Sequence, residues 1–381
     1  KQKTAYEISL GLVGSEMCIR DSNWTEALNS LPLIHMDEAA GRNIPFWKDW
    51  IRHSEDDDYW QQVNVSKRFG EIIAPAFNMG GWYDLYVSDT FDNFNGLRLT
   101  GGSQEAMRSK LIVGPWPHGL SSSSKTGDVD FGLNSLVDLD AIELRWFDYW
   151  LKGIDNGIVD EAPIRLFIMG SNQWRDEHEW PLARTEWRKW YLHSEGNANS
   201  VMGNGLLTTN TPGDESSDHF TYDPRYPVQT VGGNNCCSPH ILPWGPHDQR
   251  PVEARSDVLC YTSEPLESDL ELTGPIKLVL YAATDCHDTD WTGKLVDVSP
   301  DGYAKNLCDG IIRARYRKSF TEPELLEPHN IYKYEIEVGV TGNVFRRGHR
   351  IRIDISSSNF PRFDRNLNTG NVLGVDDEMR T

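Results

Sequence analysis

The stretch from Ala74 to Gly119 constrains the fold more than any other part of the chain. It reads APAFNMGGWYDLYVSDTFDNFNGLRLTGGSQEAMRSKLIVGPWPHG. Two short apolar runs each stop at a loop carrying one chemically useful side chain: Asp84 after Gly80-Gly81-Trp82-Tyr83, and His118 after Gly114-Pro115-Trp116-Pro117. Between them Leu85, Val87, Phe91, Phe94 and Leu97 recur at helical spacing, so the unit is predicted as strand, Asp loop, helix, strand, His loop. Such a βαβ crossover belongs to a parallel sheet. Loops beyond the carboxyl ends of neighbouring parallel strands lie side by side, which is expected to bring Asp84 and His118 together where ligands bind. A carboxylate followed by a histidine in that order is the rear half of a Ser-Asp-His relay. On the residues alone a plainer alternative stays open: Asp84 as the cap of the following helix and His118 as a turn residue between Pro117 and Gly119.

The motifs GGWYD, LIVGPWPHG, DTDWTGKLVDVSPDG, GIIRARYR and FRRGHRIRIDISSSNFPRFDRN occur in one order along the chain. Together they resemble the CocE/NonD family of serine hydrolases, which includes cocaine esterases, X-prolyl dipeptidyl-peptidases and α-amino-acid ester hydrolases. The resemblance runs from about Trp24 to the end. It implies that Asp84 and His118 are the acid and base of a catalytic triad, and that Trp82 and Tyr83 border the substrate pocket. It also implies an α/β-hydrolase domain followed by an all-β jelly-roll sandwich.

The nucleophile of that triad has no counterpart in the sequence. No Gly-x-Ser-x-Gly elbow occurs, and Ser103 and Ser171 each follow a glycine without the second one. The chain is therefore expected to be the carboxyl-terminal part of an enzyme, lacking the serine and its oxyanion donors and inactive alone. Lys1 to Ser22 resembles a translated sequencing-adapter segment rather than any part of the hydrolase family, and is expected to be foreign to the fold.

Along the rest of the chain, residues 23–70 are helical in pattern. Phe46, Trp47, Trp50 and Ile51 form an apolar face, and Ser54 with Glu55 to Asp58 is predicted to start the next helix. By the resemblance this is the end of a helical cap. Residues 71–155 are assigned to the α/β-hydrolase domain, whose last helix, Asp138 to Lys152, is apolar enough to pack on the sheet and is stopped by Gly153. Beyond Pro163 the period changes. Runs from Ile164–Met169 to Arg350–Ile355 are short, alternating or β-branched, with turn residues between them, so residues 160–381 are assigned to a β-sandwich, truncated at its carboxyl end.

Composition limits the partners. A formal net charge of −20 argues against nucleic acid, and the apolar stretch near the start is too short for a membrane span. A small-molecule or peptide ester or amide is the expected substrate. A homo-oligomer and the cellular compartment stay open. No cofactor or metal is called for: Asp285, Asp288 and Asp290 lack the further ligands of a calcium loop, and His240 and His247 have no ligand at metal spacing. The cysteines show no framework spacing and are expected to be buried free thiols, with a disulfide from Cys236 or Cys237 to a distant partner as the alternative. A function from another class, a non-catalytic jelly-roll binding module or degenerate hydrolase fragment, also remains.

Overall fold

A computed structural model describes residues 24–119, 123–236 and 240–381. The suspect segment 1–22 lies outside the described residues, as does Cys237.

The predicted βαβ unit forms. Strand β1 (Phe77–Tyr83) pairs in parallel with β2 (Lys110–Pro117), from Phe77 opposite Lys110 to Tyr83 opposite Pro117. The crossover helix, Val87–Thr100, buries Val87, Phe91, Phe94 and Leu97, the apolar positions that mark it in the sequence. Close approach of the two strands requires glycine at position 81, where any Cβ would collide with the Trp116 carbonyl.

Short strands β3 (Lys125–Thr126) and β4 (Val129–Asp130) form a hairpin after the His loop. The helix Leu139–Lys152 follows, capped by the Asp138 carboxylate on the Ala141 N–H and ended by Gly153 at φ +70°. It does not bury its apolar side as expected. Trp146 packs on Phe77, with ring centroids 5.4 Å apart, but Leu144, Phe147 and Leu151 are exposed. Helical periodicity shows that one side is apolar, not what covers it.

A second correction concerns the next strand. β5 (Ile164–Ile168), assigned to the sandwich from its sequence, continues the parallel sheet by pairing with β2, and β6 (Gln173–Glu177) adds an antiparallel edge, giving the order β1-β2-β5-β6. A short buried apolar run carries no mark of which sheet it joins. Its continuation does reach the other sheet: Met169 bridges to the strand Tyr332–Phe345 through Met169 N–Gly342 O and Val344 N–Met169 O hydrogen bonds.

The carboxyl-terminal part is a β domain. β7 (Tyr191–His193), β8 (Leu206–Thr208), β9 (Leu259–Thr262), β11 (Asp290–Val298), β12 (Ala304–Arg313) and β14 (Arg350–Ser356) form one sheet in the order β12-β11-β14-β9-β8-β7. The long strands β10 (Leu270–Ala282) and β13 (Tyr332–Phe345) form a separate antiparallel pair. Leu278, Tyr334, Ile336 and Val338 of that pair share a core with Leu295, Leu307, Ile353 and Ile355 of the larger sheet. The same core runs on into Trp82, Phe91, Leu111 and Ile164, so the α/β unit and the β domain are packed together without a break.

The helical segment keeps a small core of its own around Trp24, Trp47, Trp50 and Ile51. Phe46, expected on that face, is exposed against Trp50. The next helix is only Asp58–Gln61, and its cap is Asp57, which accepts from the Tyr59 N–H; Ser54 turns instead to Glu55. The segment docks on the β domain through Ile34 N–Gly374 O, Asp56 N–Phe320 O and Tyr316 Oη–Ser54 O hydrogen bonds. No helix among the described residues is long and apolar enough to cross a membrane.

Candidate active site

The two loops meet as the parallel register requires. Asp84 and His118 each follow the last paired residue of their strand, and His118 Nδ1 lies 3.2 Å from Asp84 Oδ1 and 3.3 Å from Oδ2. Asp84 is 5% exposed, whereas the His118 side chain is 45% exposed. A nearly buried carboxylate thus faces the inner ring nitrogen, and the outer nitrogen, Nε2, points away from it. With Nδ1 carrying the proton, Nε2 is left as the basic atom.

The plainer alternative fails at the cap itself, which is Tyr86 with no side-chain cap hydrogen bond, but Asp84 does order the approach to the helix. Its Oδ1 accepts from the Tyr86 N–H at 2.8 Å, and its carbonyl accepts from the Val87 N–H, so the side chain orders the turn into the helix. The two roles are compatible because a carboxylate has several acceptor sites. Tyr86 in turn sets its ring edge-on to His118, with centroids 5.3 Å apart.

Trp82 and Tyr83 do not border the pocket, contrary to expectation. Both are fully buried and neither lines the neighbouring cavity. The Trp82 indole donates to Phe167 O at 2.6 Å and its ring stacks on Phe91; the Tyr83 hydroxyl donates to Asn306 O at 3.1 Å. Alternation along β1 turns both side chains toward packed neighbours, and burial pushes the Tyr83 hydroxyl well above its ordinary pKa, which keeps it a neutral donor.

A cavity of about 420 Å³ opens on the other side of Asp84. Its walls come from the helical segment (Trp47, His53, Trp60), the Asp84 loop and the β domain (Asn234, Cys308, Arg313). Cys308 is a free thiol, but burial pushes its pKa up, so it does not offer a thiolate nucleophile. Cys260 and Cys286 are likewise free and buried, as expected. Cys236 is disulfide-bonded, which corrects the expectation of a free thiol there. Spacing alone does not reveal pairing.

Sequence reasoning missed two residues at this site. His53 pairs with Asp57 four positions on, at 2.5 Å, a spacing visible in the sequence. Asn234 donates to the Trp82 and Asp84 carbonyls from 150 positions downstream of the acid, with no local signal to announce it. The carboxylates weighed for calcium are occupied otherwise: Asp288 holds Arg315 at 2.8 Å and Asp290 holds Arg313 through both oxygens at 2.9 Å.

A parallel sheet whose strand-end loops join a carboxylate to a histidine, set against a carboxyl-terminal β domain, defines the class as α/β hydrolases with an appended β domain. Residues 156–377 match the X-Pro dipeptidyl-peptidase C-terminal non-catalytic domain, and residues 18–120 match X-Pro dipeptidyl-peptidase of the S15 family. The chain is 40% identical over 337 residues to the cocaine esterase of Rhodococcus sp. (strain MB1 Bresler), covering 87% of this chain and 57% of that protein. Its fold matches an aminopeptidase from the marine sediment archaeon Thaumarchaeota archaeon with a TM-score of 0.78 at 25% identity, over 93% of this chain and 59% of that one. It also matches an α-amino acid ester hydrolase with a TM-score of 0.73 at 24% identity, over 92% and 59%, a likeness of fold. The chain belongs to the CocE/NonD family of hydrolases. It spans little more than half the length of these relatives.

Proposed function

We propose that this chain carries the acid and base of a serine hydrolase acting on esters or amides, small-molecule or peptide, by acyl transfer. In this reading a serine supplied from outside the 381 residues attacks the substrate carbonyl carbon. His118 Nε2 takes the serine proton, the C–O or C–N bond breaks, and the proton passes to the leaving group. Water, deprotonated by the same nitrogen, then releases the acid and restores the serine. Asp84 holds the imidazole with its proton on Nδ1 and stabilises the imidazolium that forms at each proton transfer.

The observation that carries this reading is the 3.2 Å approach of His118 Nδ1 to the nearly buried Asp84 carboxylate. The family membership and the absence of a Gly-x-Ser-x-Gly elbow from the sequence support the division of labour. In the same reading the β domain is a jelly roll with no substrate chemistry of its own. The test is p-nitrophenyl ester turnover and fluorophosphonate labelling, on the 381-residue chain and on the full-length gene product. Turnover and labelling confined to the full-length product are the expected result. Labelling of the isolated chain, abolished by one Ser→Ala change within it, would overturn the assignment of the nucleophile, and an inactive full-length product would favour a binding module.

A further inference from the structure

We propose that Asn234, which comes from the β domain, is a positioning residue for Asp84, clamping the backbone on which the acid is carried. The inference rests on the acid–base reading of Asp84 and His118. Asn234 Nδ2 donates to Trp82 O at 2.7 Å and to Asp84 O at 3.1 Å. Both acceptors are backbone carbonyls, so only the NH₂ end of the amide can face the loop. These carbonyls sit where the β1–β2 ladder turns irregular, between Gly81 and Tyr83, and then ends. The Trp82 carbonyl at such a place needs a donor from elsewhere, which Asn234 supplies, and the Asp84 carbonyl, already bonded to the Val87 N–H, gains a second donor from the same amide.

Two further features make this a clamp on the acid rather than general packing. First, Tyr83, the residue between the two clamped carbonyls, donates its hydroxyl to Asn306 O on β12, so three consecutive residues are held from the β domain. Second, Asn234 stands on a fixed shelf: Gly233 and Gly245 exchange both backbone hydrogen bonds, at 2.7 and 2.9 Å.

The consequence for chemistry follows from the distances. At 3.2 and 3.3 Å the two Asp84–His118 contacts are already long for charge-assisted hydrogen bonds. A loop shift of an ångström would separate the pair, and misplacement on that scale costs about 100-fold in rate. The domain whose family description calls it non-catalytic therefore takes part in catalysis without touching substrate.

The neighbouring residue provides the control. Asn235 is buried and also donates Nδ2 to two backbone carbonyls, Gly232 O at 2.9 Å and Pro243 O at 2.6 Å, but both lie in its own domain. Asn234→Ala and Asn235→Ala are to be made in the full-length protein, with Tm measured and ester hydrolysis assayed well below each variant's own Tm. Both should lower Tm by similar amounts. Only Asn234→Ala should lower kcat, by roughly 10- to 100-fold with KM within about twofold, while Asn235→Ala keeps kcat within about twofold. Asn234→Asp, which keeps the side-chain shape and removes both donors, carries the same expectation should the alanine variant fold poorly. Wild-type kcat in a folded Asn234 variant, or equal kcat losses in Asn234→Ala and Asn235→Ala, would overturn the proposal. His118→Ala in the same protein separates the two levels: if it retains activity the acid–base reading fails, whatever Asn234 does.

Discussion

The β domain and the Asp84–His118 loops bury charge in opposite ways. In the β domain three buried arginines are each closed by an opposite charge: Arg313 between Asp290 at 2.9 Å and Asp364 at 3.2 Å, Arg352 on Glu253 at 2.5 Å, Arg362 on Asp309 at 2.6 Å. At the loops a carboxylate as deeply buried faces an imidazole whose side chain is 45% exposed. A closed pair contributes at most stability, because neither partner can change charge without breaking the other's environment. A carboxylate set behind a half-exposed histidine can stabilise a charge that comes and goes, and that is the electrostatic requirement of a general base.

The sharpest way to break this contrast is to remove the loop pair and a closed pair in turn, in the full-length protein. His118→Ala should lower kcat for ester hydrolysis by about 10⁴-fold, and Asp84→Asn nearly as much by permitting the wrong tautomer, with little change in Tm. If instead both variants lose stability and keep their rate when folded, the pair is structural. Arg352→Met should do the reverse. It leaves Glu253 buried beside Asp354 without its opposite charge, so unfolding in urea should show a loss of about 3–5 kcal/mol, with kcat unchanged in the folded fraction. An unchanged urea midpoint would mean that the pair is not closed in the sense claimed.

Asp354 sharpens the comparison because it is a buried carboxylate in the β domain with no ion pair among the described residues, met only by the weak thiol donor of Cys260. Burial and the neighbouring Glu253 push its pKa up to about 7, against the pull of Lys294 and Arg352. In the unfolded chain an aspartate releases its proton near pH ~3.9. Between that pH and about 7 the folded protein holds a proton that the unfolded chain has lost, so this group makes stability fall as pH rises through that window, and flatten above it. Asp354→Asn should abolish that share of the fall, raising the urea midpoint at pH 8 relative to wild type while leaving it similar at pH 4. Parallel curves for the two proteins would show that Asp354 is ionised throughout.

What could be foreseen from the sequence divides along the same lines. The βαβ unit was legible because its strand ends are marked by Gly-Gly-Trp-Tyr-Asp and Gly-Pro-Trp-Pro-His, and parallel pairing then leaves the two polar residues no choice but to be neighbours. The burial of Trp82 and Tyr83 was not legible, since an aromatic residue beside a catalytic loop has the same signature whether it lines a pocket or fills the core. The helices Val87–Thr100 and Leu139–Lys152 are equally long and both carry apolar residues at helical spacing, yet the first is covered and the second largely is not. Cover depends on what lies opposite, and β5 shows the same limit for strands, its apolar run fitting either sheet until the register Leu111–Ile164 decides. Asn234 lies further still from any local pattern, because its hydrogen bonds cross from one domain to the other.

The central claim is that Asp84 fixes the proton of His118 on Nδ1, and the most direct measurement is ¹⁵N NMR of the imidazole, made on the 381-residue chain with labelled histidine at a pH where the ring is neutral. Free neutral imidazole favours the proton on Nε2. The account predicts an Nδ1–H tautomer for His118 that reverts to Nε2–H in Asp84→Ala. An Nε2–H tautomer in the unaltered chain, or an Nδ1–H signal that survives Asp84→Ala, would contradict it.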